Sequence, residues 1–163
     1  MVKAFLSYPR VDDAYDAVSQ FCERLANELE LIAPGSSVFQ DKSNILAGSR
    51  FEHSIEESIS EVDVLIILLA PRWLASEWCR REYALFVAKE HKIELEPRIL
   101  PILWVRAGLI SGFEEDPIAK SLSKVHHEDW SGLRHRNWDS ELLRARVAAL
   151  AETVVNLARS NRK

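Results

Sequence analysis

Two periods govern the order of hydrophobic and polar positions along the chain. "KAFLSY", 3 to 8, is a short apolar run of strand length at the very start. Val18, Phe21, Cys22, Leu25, Leu29 and Ile32 then recur at offsets of three, four, seven, eleven and fourteen, which predicts an amphipathic helix that Pro34 and Gly35 end. "SSVFQD", 36 to 41, reads as a second short strand, and "KSNILAGSR", 42 to 50, as a loop. Phe51, Ile55 and Ile59 mark a helix at four-residue spacing. "VDVLIILLA", 62 to 70, is a nearly continuous β-branched and leucine run, as in a strand covered on both faces, and Pro71 closes it. A helix from about Ser76 to Glu90 follows, with Ser76 as N-cap and Glu77 in the first turn, where the helix dipole favours an acid. "RILPILWV", 98 to 105, is the fourth strand. From 106 to 138 the pattern weakens and supports only a short strand near Ser123 to His127. Leu143, Val147, Leu150, Val154 and Leu157 define a last helix that starts after Asp139 or Ser140.

Strands that alternate with helices over short connections predict an α/β chain, a doubly wound parallel sheet of about five strands with helices on both faces. In such sheets the binding crevice lies beyond the carboxyl ends of the strands. The rim residues are then Ser7, Tyr8 and Arg10 after the first strand, Asp41 and the loop to Gly48 after the second, and Trp73 with the helix bearing Trp78 and Glu82 after the third.

Composition narrows the partners. The 163 residues suit one domain, which at this size buries roughly 70% of its unfolded surface. With 47% hydrophobic and 28% charged residues the chain has the make-up of an ordinary globular domain. A net charge of -4 argues against a nucleic-acid surface. No apolar run is long enough to span a bilayer, so no membrane is expected. Cys22 and Cys79 both fall on apolar helical positions, which favours buried reduced thiols and a cytoplasmic setting.

Glu82 breaks the pattern of its own helix. Trp78 and Cys79 precede it by one turn and Leu85 and Phe86 follow by one, so that face is apolar around a carboxylate. Glu77 has Arg80 and Arg81 three and four residues on; Glu82 has no such neighbours. Familiar catalytic signatures are absent: there is no G-x-S-x-G, Walker loop, G-x-G-x-x-G or H-E-x-x-H. The histidines show no metal-ligand spacing, and no metal is expected; His126 and His127 read as a solvated polar loop. A receiver domain wants an aspartate at the end of the third strand, where this chain has "LLAPRW".

Three stretches together, "AFLSYPR", "VFQDKSNILAGSRFEHSIEESI" and "VLIILLAPRWLASEWCRREYALF", resemble a Toll/interleukin receptor (TIR) domain of the bacterial kind. The resemblance spans about half the chain in the right order, and it implies a flavodoxin-like sheet. It also implies that Tyr8 and Arg10 contact nucleotide, with Pro9 standing where some catalytic members have a second basic residue. Asp41 and Gly48 match the loop after the second strand, the BB loop, which in the family gates the site and joins neighbouring subunits; here that contact set is Asn44, Ile45, Leu46, Ala47, Gly48 and Ser49. Arg50 stands where at least one active member has an aromatic. Trp78 and Glu82 match the W-x-x-x-E pattern whose glutamate is catalytic in members that cleave NAD+, with Trp73 beside them as a further substrate contact.

The implied activity is release of nicotinamide from NAD+ as substrate, with no separate cofactor, to give ADP-ribose or a cyclic product. The implied setting is bacterial immune defence against phage, by a module joined to a sensor domain and activated by self-association, so that the chain is one piece of a longer protein. Each residue also has a plainer reading. Glu82 fits a helix edge that sends its carboxylate to solvent or a distant arginine, Trp73 and Trp78 fit core packing, Asp41 a turn cap, Arg10 a surface charge, and Tyr8 a structural strand end. A non-catalytic module that binds other TIR domains is the alternative function.

Overall fold

The computed structural model describes residues 1–40 and 49–160, and of 49–54 the backbone alone. Among these residues five parallel strands form one sheet: β1 (Lys3–Ser7), β2 (Ser37–Gln40), β3 (Val64–Leu69), β4 (Ile99–Leu103) and β5 (Glu128–Asp129), in the order β2-β1-β3-β4-β5. The connecting helices are α1 (Ala17–Ile32), α2 (Ser49–Ser60), α3 (Pro71–Ala75), α4 (Glu77–Lys92), α5 (Pro117–Ser123) and α6 (Glu141–Arg159). The order reverses at β1, the doubly wound arrangement expected from the alternating pattern.

Side-chain alternation divides the core into two layers. From β3, Val64, Ile66 and Leu68 face the layer of α1 and α6, while Leu65, Ile67 and Leu69 face the layer of α2 and α4. All six are buried, as the unbroken apolar run predicts for a central strand. Phe21 in the first layer meets the edges of Trp104 and Trp130 at centroid distances of 5.6 and 5.1 Å, and Trp138 stacks beside Trp130. Pro101 is tolerated inside β4 because β5 pairs only from Ile102 onward.

Three expectations need correction. The segment before β5 is a helix, α5, which ends at Ser123, and β5 itself follows at Glu128–Asp129. Asp116 accepts from the amides of Ile118 and Ala119 and Pro117 sits in the first turn, so capping rather than an apolar stripe makes this helix. Ile32, placed on the buried stripe of α1, is 41% exposed because the helix ends there. Arg80 is not held by Glu77: its guanidinium donates to Asp116 at 2.7 Å and to the Leu74 carbonyl at 3.1 Å.

The stripe that α4 buries is Cys79, Glu82, Phe86 and Glu90. Glu90 is fully buried and takes a two-pronged contact from Arg98, Nε at 2.8 Å and Nη2 at 3.0 Å, while Arg98 Nη1 donates to the Ala158 carbonyl near the end of α6 at 3.2 Å. Lys89 adds a contact at 3.1 Å. Burial raises the Glu90 carboxyl, but the hydrogen bonds of Arg98 and Lys89 outweigh it and hold the group below its ordinary value. Glu90 therefore contributes stability that is fully present above about pH 4.5 and is lost as pH falls through its lower folded value. Arg98→Ala is expected to lower the unfolding free energy by about 3–5 kcal/mol, because it strands a buried carboxylate. Urea unfolding from pH 7 to pH 3 checks both points: the fall in stability on the acid side should be shallower in Glu90→Gln than in the natural chain.

Candidate active site

Ser7 ends β1 on the same face as Phe5, toward α4, and is fully buried. It is the polar member of an otherwise apolar strand. Its hydroxyl lies 3.0 Å from Glu82 Oε1 and 3.0 Å from Trp73 Nε1. An indole nitrogen only donates, so Trp73 donates to Ser7, and the serine proton is directed at the carboxylate. Glu82 is 2% exposed, which corrects the plain reading of a carboxylate reaching solvent. Removing a member of this chain leaves a buried polar group unsatisfied, at a cost of about 1–3 kcal/mol.

Local sequence explains how the three meet. Pro71 stops β3 and starts α3, which turns Trp73 under the sheet edge with no exposed surface, its ring edge-on to Tyr83 at 6.4 Å. Ser76 then breaks α3 from α4 and caps the latter, accepting from the Cys79 amide at 3.2 Å, as its sequence position predicts. The amino end of α4 thereby stands at the carboxyl edge of the sheet, and Glu82 one turn further on reaches Ser7. Across the same edge Arg72 of α3 meets Asp12, in the turn after β1, at 3.3 Å.

A family model for the TIR domain matches residues 5–146, which includes the end of β1, α3 and α4 and therefore every residue of this cluster. The chain belongs to the TIR domain family. No curated protein matches it. Among solved structures it is similar to the TIR domains in the structure of the activated Roq1 resistosome directly recognizing the pathogen effector XopQ, with a TM-score of 0.50 and 17% identity over 93% of this chain and 84% of that one. At that identity the likeness supports the fold alone.

The TIR fold brings together only part of the predicted site. Trp73 and Glu82 share one cluster, and Trp78, four residues before Glu82 on α4, packs partly buried against the same core layer. Trp73 has no surface to offer a ligand, so it stands as a core residue at the base of the site. Tyr8 points into the opposite layer, where Gln40 of β2 donates to its hydroxyl and burial pushes the phenol above its ordinary value. Consecutive residues on a strand face opposite sides, so Ser7 reaches Glu82 and Tyr8 does not. Arg10 is exposed, in a single turn of 3₁₀ helix after β1. Asp41, Asn44, Ile45, Leu46, Ala47 and Gly48 lie outside the described residues, and Ser49 is described only as the first backbone position of α2.

Sequence reasoning placed Ser7 on the rim but gave it no role. The available signal was a serine in a run of apolar strand residues at the parity of buried Phe5. Cys79 was also read only as a buried thiol, and it is one, with a further contact. Burial pushes its thiol up to about 12; the negative charge of Glu82 and a hydrogen bond to it add to the rise, while hydrogen bonds with Ser76 and Ser7 pull the other way without offsetting it. Cys79 is thus a neutral thiol beside the carboxylate and a poor nucleophile. Ellman's reagent at pH 8 should leave Cys79 unmodified in the folded TIR domain and label it promptly in guanidinium chloride.

Proposed function

We propose that this TIR domain cleaves the bond between ribose and nicotinamide in NAD+, with Glu82 as the catalytic carboxylate. The observation that carries the proposal is a nearly dry carboxylate fixed at the carboxyl end of β1, next to the point where the strand order reverses and where doubly wound sheets bind ligands. Nicotinamide departs as a neutral group from a pyridinium, so the reaction needs no general acid, unlike glycosidases that use two carboxylates. A single carboxylate is enough to stabilise the positive charge that develops on the ribose, and that stabilisation grows as water is excluded. Water attack on the ribose carbon gives ADP-ribose, and attack by an adenine nitrogen gives a cyclic product. Trp78, half-buried on the same helix, offers an indole face for a planar ring.

At 2% exposure Glu82 meets a ribose only after a neighbouring element withdraws. A chain that is mostly closed binds substrate with its affinity reduced by the open fraction, so a partner that favours the open form activates it. Self-association between TIR domains supplies such a partner in our reading. It accords with the activated assembly named for the similar Roq1 domains. We further propose the setting that the family resemblance implies, a cytoplasmic effector in bacterial defence against phage, joined to a sensor. The same burial favours a second reading, a binding module in which Glu82 serves structure alone.

Nicotinamide release measured on concentrated protein with a crowding agent separates the two. Turnover in the natural chain, with a loss of about 100-fold or more in Glu82→Ala and Glu82→Gln that remain folded at the assay temperature, supports the enzyme. Equal turnover in either variant removes Glu82 from catalysis. An inert natural chain in every assembly state supports the binding module.

A further inference from the structure

We infer that Ser7 and Trp73 are positioning residues that set the aim of the Glu82 carboxylate, an inference that rests on the NAD+-cleaving reading for its catalytic consequence. A glutamate side chain has three rotatable bonds, and helix α4 fixes only its root. A carboxylate that must face the ribose through the charge-developing step needs its far end fixed as well. Ser7 does this from a strand inside the sheet: β1 is paired on both sides, and Ser7 itself stands in register with Ile67 of β3.

Trp73 makes the contact directional. A serine hydroxyl alone can rotate among acceptors, and its proton has no preferred target. With the Trp73 N–H occupying one lone pair of Oγ at 3.0 Å, the serine proton favours Glu82 Oε1, also at 3.0 Å, over the neighbouring neutral Cys79 sulfur, which is a weak acceptor. All three groups are at most 2% exposed, so water does not compete for these bonds and their directions persist. The order Trp73 to Ser7 to Glu82 crosses three elements, α3, β1 and α4, and ties the loop after β3 to the catalytic carboxylate. A wholly structural role would need the bonds for stability only; a positioning role makes the carboxylate and the indole report on each other.

Two measurements test this on the full chain. In the first, Ser7→Ala and Trp73→Phe are assayed for nicotinamide release under assembly conditions. The expected result is a fall in kcat on the order of 10- to 100-fold with KM changed less than about 2-fold, and a partial recovery in Ser7→Thr, which restores the hydroxyl. In the second, the Trp73 indole N–H resonance is followed by proton–nitrogen NMR. It should move in Ser7→Ala, and also in Glu82→Gln, where the altered group is linked to the indole through the Ser7 hydroxyl. An unmoved resonance in Glu82→Gln overturns the inference, and so does a folded Ser7→Ala with unaltered kcat. A natural chain that releases no nicotinamide defeats the NAD+-cleaving reading, and the inference of a coupled chain then stands or falls on the resonance.

Discussion

Helix α4 turns two carboxylates into the protein, and much of the rest of the structure is arranged to receive them. Its buried stripe alternates an apolar residue with an acid: Cys79, Glu82, Phe86, Glu90. Burying a carboxylate without partners costs far more than a helix can return by packing one phenylalanine. Each acid is therefore met by a different element. At the amino edge of the sheet Arg98, just before β4, gives Glu90 a full opposite charge and at the same time holds the last turns of α6. At the carboxyl edge β1 gives Glu82 a hydroxyl, a dipole in place of a charge. The first arrangement is what a structural ion pair looks like. The second meets the carboxylate with a neutral hydroxyl, an arrangement compatible with the catalytic role proposed for Glu82.

The sheet order then decides what can stand near Glu82. Because β1 lies between β2 and β3, its end opens at the reversal point, and the turns after β1 and β3 flank that opening, linked by Asp12 and Arg72. Strand parity selects among the residues at that end. Phe5 and Ser7 face α4, while Leu6 and Tyr8 face α1, so the last residue of a short strand and the polar residue that follows it serve different layers. Tyr8 closes the first core layer by meeting Gln40, and it ties β1 to β2 on the side away from Glu82.

Much of this was legible in the chain. Long periodic stretches announced α1, α4 and α6, and the unbroken run of β3 announced a strand buried on both faces, because in each case the apolar pattern is itself the cause of the element. Elements held by other forces were hidden. The α5 helix has seven residues and rests on the Asp116 cap and the Arg80 contact, and β5 has two residues, so neither has room for a period. Pro71, read as the end of β3, also begins α3, and that second role takes Trp73 into the core. Glu82 was conspicuous because it violates the pattern of its own helix. Its partner Ser7 lies 75 residues away and follows only from the order of strands together with parity.

The same geometry that fixes Glu82 also closes it, and this constrains how such a site can be switched. A nearly dry carboxylate bonded to β1 is stable in the closed chain, so on the proposed reading its opening must be driven by contacts that exist only in the open form. Moving a two-state equilibrium from 1:99 to 99:1 needs about 5.5 kcal/mol of differential binding. A small ligand that must itself wait for the opening gives up part of its own binding energy to cause it. A second copy of the chain that docks on the outer surface of the open form carries no such penalty at the site, and the energy of that contact adds to the energy of substrate binding. On the proposed NAD+-cleaving reading, the buried placement of Glu82 is thus better matched to activation by protein assembly than to activation by substrate concentration alone.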